Sequence, residues 1–109
     1  MEPVIFNFTC YRGSPISEQL NFVDEDDVAI DMTGYGPFTW QVRSFSGGPL
    51  LMELTCDETD IADGILVGTA TVNQTLALTT GKRQHDLLDA SGAKWFTGEF
   101  TVGRNISEL

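Results

Sequence analysis

The fold of this chain is decided by the stretch FTWQVRS, residues 38–44. Its apolar side chains, Phe38, Trp40 and Val42, alternate with polar ones, which predicts a strand with one buried side and one solvent-facing side. Because tryptophan is among the side chains that bury the most apolar area, Trp40 is expected at the centre of the core. Turn-forming residues at 33–37 and 46–49 flank the stretch. The sequence around Trp40 therefore predicts an all-β domain.

Short runs with similar alternation recur along the chain, separated by clusters of turn-forming residues. The other predicted strands are residues 4–11, 15–23, 28–30, 50–56, 64–70, 83–89 and 94–102. One short helical turn is expected near residues 73–77, and Gly98 predicts a bulge or the close approach of another backbone. Seven or eight short strands at this spacing predict a two-sheet antiparallel β-sandwich of the immunoglobulin-like type. This domain is expected over residues 1–103, with a polar tail at residues 104–109.

The alternation also assigns the two faces of each strand. In strands 4–11 and 50–56 the residues expected inside are Val4, Phe6, Phe8, Cys10, Leu50, Met52, Leu54 and Cys56. In the last strand, Phe96, Phe100 and Val102 are expected to face inward, while Trp95 is expected to face outward.

Length and composition predict a single acidic domain. The 109 residues carry six basic and sixteen acidic side chains, which gives a net charge of −10. Such a surface repels phosphate backbones and anionic lipid heads, so neither nucleic acid nor a membrane is expected as a partner. The alternative reading of this charge is solubility alone. The N-terminus lacks the basic region and the long apolar region of a secretion signal, so none is expected.

The residues that most often carry chemistry predict no cofactor and no enzymatic activity. His85 is the single histidine, and Cys10 and Cys56 lack the spacing of metal ligands. A serine–histidine–aspartate triad can be written around His85, but no nucleophile elbow or oxyanion loop accompanies it. The two cysteines are expected to be reduced core residues, with a disulfide as the alternative if their strands pair.

Two acidic segments, residues 24–27 and 57–63, are expected to be solvated turns. Calcium binding is the alternative, because hard cations bind clustered carboxylates. The run at residues 24–27 lacks the alternate-residue spacing and central glycine of an EF-hand loop. The sequence therefore favours turns over a metal site.

Three aromatic residues, Tyr35, Phe45 and Trp95, are the candidate protein-interface residues. The alternation places them on an outer face or in a loop, and aromatic side chains are enriched at protein–protein contacts. The alternative is partial burial at the edge of a strand. Open edge strands of a small β domain also invite a neighbouring protein to pair with them.

Several short motifs follow one another in order along nearly the whole chain. They are RGS at residues 12–14, DMTGY at 31–35, FTWQVR at 38–43, DGILV at 63–67, TLALTTG at 75–81, DL at 86–87, Gly92 and GEFTV at 98–102. Together they resemble a family of small β-sandwich modules in tailed-bacteriophage virions. The module is similar to the N-terminal domain of upper baseplate proteins, which anchors receptor-binding fibres to the tail.

The resemblance implies a non-catalytic virion subunit of the tail, baseplate or neck. Its partners would be other virion proteins, with homo-oligomers or repeated copies on a symmetric particle. Two departures count against an anchor for a covalently attached fibre: residues 83–85 replace an aromatic residue of the family pattern, and no coiled-coil segment follows Val102. A capsid head-decoration protein is the alternative in the same class. A carbohydrate- or calcium-binding adhesion module using Trp95, Tyr35 and the acidic loops is the alternative from another class.

Overall fold

The computed structural model describes residues 4–104, which form one mixed sheet with two short helical segments. The elements are β1 (Val4–Ile5), β2 (Phe8–Tyr11), β3 (Ile16–Asn21), β4 (Thr39–Arg43), β5 (Leu50–Asp57), the 3-10 turn η1 (Ile61–Asp63), β6 (Ile65–Ala70), α1 (Val72–Leu76), β7 (Gly81–Leu88) and β8 (Lys94–Gly103). The strand order is β1-β8-β7-β4-β5-β6-β3, and β2 also pairs with β8. Of the predicted tail at residues 104–109, all but Arg104 lies outside the described residues.

The domain is all-β in character, as the sequence predicts, but its architecture differs from the prediction. The sheet is mixed, because β1 and β2 run parallel to β8 while the other strand pairs are antiparallel. It curls into a half-barrel and is not clearly the separate pair of antiparallel sheets expected. The predicted strand at residues 28–30 is reduced to a single bridge between Val23 and Ala29.

The curl arises where β5 changes partners. Residues 50–54 pair with β4, whereas residues 55–57 pair with β6. This change lets β6 fold over β4, and Gly68 of β6 approaches Trp40 so closely that a Cβ atom would collide with the indole ring. Trp40 is completely buried as a result, together with Val42, Leu66 and other apolar residues from several strands. The predicted position of Trp40 in the core is confirmed.

The predicted first strand, residues 4–11, is interrupted after Ile5. The Phe6 carbonyl turns toward His85, which contacts it through Nε2 at 2.6 Å. The Asn7 side chain accepts a hydrogen bond from the Glu99 backbone N–H at 3.0 Å. A Cβ atom on Gly98 would collide with the same Phe6 carbonyl, so the close backbone approach predicted from this glycine is confirmed.

Two of the face assignments at strand ends are wrong. Val4 is 63% exposed, because β1 lies at one end of the sheet and no strand among the described residues covers its outer side. Leu50 is 47% exposed, because it begins β5 at the solvent-facing hairpin that connects β4 to β5. The alternation predicts where the strands are, but it does not predict that apolar side chains at the strand ends are exposed.

The predicted helical turn is confirmed as α1, and Arg12 ties it to the end of β2. Thr71 and Gln74 form a reciprocal capping box at its start. At its other end, Arg12 Nε donates to the Leu78 carbonyl at 2.7 Å, and Arg12 Nη2 donates to the Leu76 carbonyl at 3.0 Å. Arg12 of the RGS motif therefore stabilises the position of α1 against the end of β2.

Both cysteines are free thiols. Cys10 is buried in β2, which pairs with β8, and Cys56 is half-buried in β5, which pairs with β4 and β6. The strand pairing that the disulfide alternative required is therefore absent from the described residues. Burial raises the pKa of each thiol to about 11, so both are protonated at neutral pH.

Candidate functional site

The structure brings two of the three predicted interface residues together. The rings of Tyr35 and Trp95 meet edge to face, with their centroids 5.3 Å apart. Phe45 lies in the β4–β5 hairpin, beyond the opposite end of β4 from Tyr35. Five strand residues at about 3.3 Å each separate the two loops by on the order of 16 Å. Tyr35 and Phe45 therefore belong to different surfaces.

The predicted outward orientation of Trp95 is wrong, since only 7% of this residue is exposed. The reason is a β-bulge in β8. Leu87 pairs with Phe96 and Leu88 pairs with Lys94, so Trp95 is the extra residue between two ladder positions. A bulge breaks the alternation of faces, which lets the neighbours Trp95 and Phe96 both point into the core.

Asp89, in the loop between β7 and β8, fixes the position of Trp95. Its Oδ2 accepts a hydrogen bond from the indole Nε1–H at 3.0 Å. Its Oδ1 accepts from the Ser91 N–H at 2.9 Å, the Ser91 hydroxyl at 2.6 Å and the Ala93 N–H at 3.0 Å. These bonds, first those of the Ser91 hydroxyl and the indole, lower the pKa of Asp89 to about 2.

Tyr35 stands above this loop, with half of its surface exposed at 51%. Its carbonyl accepts a hydrogen bond from the Ala90 N–H at 2.9 Å, and its own N–H donates to the Met32 carbonyl at 3.2 Å. Met32 is completely buried, so the backbone of Tyr35 is fixed from two directions. We call Tyr35, Trp95 and the loop at residues 89–93 the aromatic surface.

Two open hollows border Tyr35. One has a volume of about 450 Å³ and is lined in part by Ile30, Lys94 and Trp95. The other has a volume of about 400 Å³ and is lined in part by Gly34 and Ser91. An exposed aromatic ring that borders two concave regions has the shape of a docking point for a partner protein.

Lys94 adds a positive charge at the rim of this surface. Its Nζ lies 3.7 Å from Oδ1 of Asp86, whose side chain is only 8% exposed. Two carboxylates of this surface are therefore engaged with groups of the protein itself, Asp89 with its loop and Asp86 with Lys94. Asp31, which also lines the larger hollow, is exposed, so the aromatic surface presents a ring, hydroxyls, one cation and one carboxylate to solvent.

His85 lies in the core and is completely buried, which the sequence did not predict. Its Nδ1 accepts a hydrogen bond from the Trp40 Nε1–H at 3.1 Å. Because an indole nitrogen can only donate, the imidazole proton is on Nε2, which donates to the Phe6 carbonyl. Both ring nitrogens are occupied, so His85 does not reach a substrate as a general base in this conformation.

Two carboxylates of the acidic turns, those of Asp24 and Asp57, accept hydrogen bonds from their own turns. Asp24 Oδ1 accepts from the N–H groups of Asp26 and Val28 at 2.9 and 3.0 Å. Asp57 Oδ1 accepts from the Thr59 hydroxyl and N–H, and these bonds lower its pKa. Within residues 4–104, no group of three or more histidine, cysteine or acidic residues is arranged to hold a metal ion.

Sequence reasoning missed Asp89 as the organiser of the aromatic surface. Its signal was the segment DASG at residues 89–92, because an aspartate followed by serine and glycine favours a turn closed by the aspartate side chain. The turn-forming residues between the predicted strands 83–89 and 94–102 predict only a turn there. The bond from Asp89 to Trp95 could not be foreseen, since it depends on the bulge that turns the indole inward.

Comparison with known proteins leaves the geometry as the main guide to function. A scan of protein-family models finds none that matches this chain, and a search of curated proteins likewise finds no match. No helix within residues 4–104 has the length and apolar content needed to cross a membrane.

Proposed function

We propose that this protein is a non-catalytic assembly subunit of a tailed-bacteriophage virion, placed in the tail, baseplate or neck. Its partners are other virion proteins, to which it docks as a homo-oligomer or as repeated copies on a symmetric particle. Nucleic acid and membranes are not among its partners, given the charge of −10. The phage assignment rests on the resemblance of its motifs.

The observation that carries the docking role is the exposed ring of Tyr35 on a rigid base. An aromatic side chain that is fixed before binding loses little conformational entropy when a partner covers it. The Trp95 ring packs edge to face against the Tyr35 ring, and the hydrogen bonds of Asp89 fix the adjacent loop. Such a prearranged aromatic anchor is typical of energetically important interface residues.

We also propose that the curled sheet acts as an immunoglobulin-like sandwich in the assembled particle. In this arrangement β3 and β6 form one layer over β4, β7 and β8. The contact between Gly68 and Trp40 across the curl supports this proposal, because it brings backbone and ring together as facing layers do.

Two alternatives remain as proposals of lower rank. A capsid head-decoration protein would use the same aromatic surface on a different part of the particle. A carbohydrate- or calcium-binding module would need an exposed aromatic platform and free carboxylates. Trp95, one of the two aromatic residues that this module would use, is buried, and the carboxylates of Asp24 and Asp57 bind their own turns, so these observations favour docking.

The proposal is tested by adding tagged protein back to phage particles from which the native copies have been removed. Tyr35→Ala is expected to reduce the fraction of protein that sediments with the particles. Tyr11→Ala is the matched control, because Tyr11 is the same residue type, is 44% exposed and pairs with Gly103 at the end of β8 far from Trp95. Equal binding of wild-type protein and Tyr35→Ala would contradict the assignment of the aromatic surface, and no binding of wild type would contradict the virion role.

A further inference from the structure

A second surface lies at the opening of the half-barrel, between the strands at the two ends of the sheet. The strand order places β1 at one end and β3 at the other, and the curl brings both to the sides of one groove. The groove has a volume of about 460 Å³. Apolar side chains form much of its lining, among them Ile5, Phe6, Leu20, Phe22 and Phe96. We call this feature the open-edge groove.

The side of β3 that faces away from β6 has an unpaired backbone edge. Phe22 N–H donates to the Gly64 carbonyl beside β6, which shows that the even-numbered residues of β3 direct their backbone groups toward β6. The backbone groups of Ser17, Gln19 and Asn21 therefore point the other way. Within residues 4–104 no other strand pairs with them, so this edge is free to accept a further strand.

The β1 side of the groove has the same character. Phe6 N–H donates to the Thr97 carbonyl of β8, so the backbone groups of Ile5 point away from β8. Ile5 is 70% exposed and Val4 is 63% exposed. Exposed apolar side chains beside a free strand edge are uncommon in proteins that remain alone, because such edges aggregate unless they are charged or covered.

Charge defines the chemistry of the segment that would cover this groove. Among residues 4–104, Glu18 is the only charged residue in its lining, which contains neither lysine nor arginine from this part of the chain. Val23, at one end of the groove, leads directly into the acidic turn at residues 24–27, which is exposed. A second copy of this chain in the groove would set its own Glu18 and acidic turn against these carboxylates, which opposes a second copy as the occupant.

We propose that the open-edge groove binds an extended segment of a partner protein in which apolar residues alternate with lysine or arginine. The segment adds a strand to the free edge of β3, and its apolar side chains pack against Leu20, Phe22 and Ile5. Its basic side chains lie on the opposite face, beside Gln19 and Asn21 and toward the acidic turn at residues 24–27. Backbone pairing supplies affinity in this mode of recognition, while side chains supply specificity. The inference deepens the proposed function, because it names the chemistry of a docking partner.

The test uses the full-length protein and a synthetic octapeptide of alternating valine and lysine as the probe. Nuclear magnetic resonance is expected to show that the peptide slows hydrogen exchange at the amides of Ser17, Gln19 and Asn21. Binding is expected to weaken as salt is added. An octapeptide of alternating valine and glutamate is the control probe and is expected not to bind. Equal binding of both peptides, or unchanged exchange at these three amides, would overturn the inference.

Charge-adding variants locate the contact on the protein. Ile5→Lys and Val23→Lys are expected to weaken binding of the valine–lysine peptide roughly tenfold or more, because each sets a cation against the lysines of the probe. Val72→Lys is the matched control, since Val72 is similarly exposed at 42% but lies in α1, outside the groove. A loss of binding in Val72→Lys equal to that in Ile5→Lys would overturn the assignment to the groove.

Sedimentation without peptide tests the competing occupant. A concentration-dependent dimer that Ile5→Lys abolishes would assign the groove to a second copy and overturn the inference. The experiments can refute the proposed groove and the proposed virion role independently of each other. Protein that binds phage particles but not the peptide would refute the groove alone, and protein that binds the peptide but no particle would refute the virion role alone.

Discussion

Mild acid is expected to destabilise this fold through a single buried group, His85. The imidazole is neutral in the folded state, where Nδ1 accepts from the Trp40 indole and Nε2 donates to the Phe6 carbonyl. Protonation of Nδ1 would point its N–H at the Trp40 Nε1–H, which breaks their hydrogen bond, and would place a positive charge in the core. Burial is the largest cause that lowers the pKa of His85 below its usual 6.5, and the Phe6 bond and nearby Asp86 only partly oppose it.

The size of the effect follows from proton linkage. The unfolded chain takes up a proton at His85 near its usual pKa, and the folded chain does so only at a lower pH. Stability is therefore fully present above the unfolded pKa and falls as the pH drops below it. One proton corresponds to at most about 1.4 kcal/mol per pH unit, which amounts to up to about 2 kcal/mol by about pH 5.

This pH range isolates the histidine from the carboxylates. The folded-state carboxyl groups whose pKa values are shifted, Asp31, Asp57 and Asp89, are all shifted below the usual 3.8. Their contributions to stability are lost only at lower pH. His85 is the single histidine of the chain, so a change between about pH 6.5 and about pH 5 reports mainly on this residue.

The assay is urea unfolding followed by tryptophan fluorescence, since Trp40 and Trp95 are both buried and report on the loss of packing. The free energy of unfolding of wild type is expected to fall across this range. His85→Gln is the control, because an amide can accept from Trp40 and donate to Phe6 but does not titrate. A wild-type free energy that stays constant, or an equal slope in His85→Gln, would refute the placement of a neutral histidine in the core.

Three further predictions concern the contact between Gly98 and the Phe6 carbonyl, the hydrogen bond from Trp95 to Asp89, and the carboxylates of the acidic turns. Gly98→Ala is expected to lower the free energy of unfolding in urea by about 1–3 kcal/mol, because the new methyl group must displace the Phe6 carbonyl; an unchanged value would contradict that contact. Asp89→Asn is expected to lower the melting temperature and to increase quenching of Trp95 by acrylamide, because the amide weakens the acceptor of the indole and of the loop N–H groups; unchanged quenching would argue against the bond to the indole. Dialysis against EDTA is expected to leave the melting temperature unchanged, because the Asp24 and Asp57 carboxylates bind their own turns, and a large fall would favour the calcium module.

The alternation of apolar residues was sufficient to predict the core strands and the burial of Trp40. It failed at Trp95 because a bulge adds one residue to β8 and reverses the faces on one side of it. No pattern within the strand itself distinguishes a bulge from regular pairing, since the signal lies in the register with β7. The burial of His85 is consistent with the alternation, which places it on the face of Leu87, but a polar side chain gave no reason to expect it there.

The curl of the sheet could not be predicted from the sequence for a different reason. It depends on β5, which pairs with β4 over its first half and with β6 over its second half. It also depends on parallel pairing of β1 and β2 with β8, a contact between the two ends of the chain. Local periodicity predicts that a strand exists, whereas choice of partner is decided by packing between distant segments.

The central claim is that this chain is a docking subunit of a virion, and its location on a particle tests that claim most directly. The measurement is electron cryo-microscopy of purified particles of the phage proposed to encode it. We expect density that fits the half-barrel of residues 4–104 at symmetry-related positions, with Tyr35 against a neighbouring protein. Particles without this density, together with a monomer in solution that turns over a small molecule, would contradict the account.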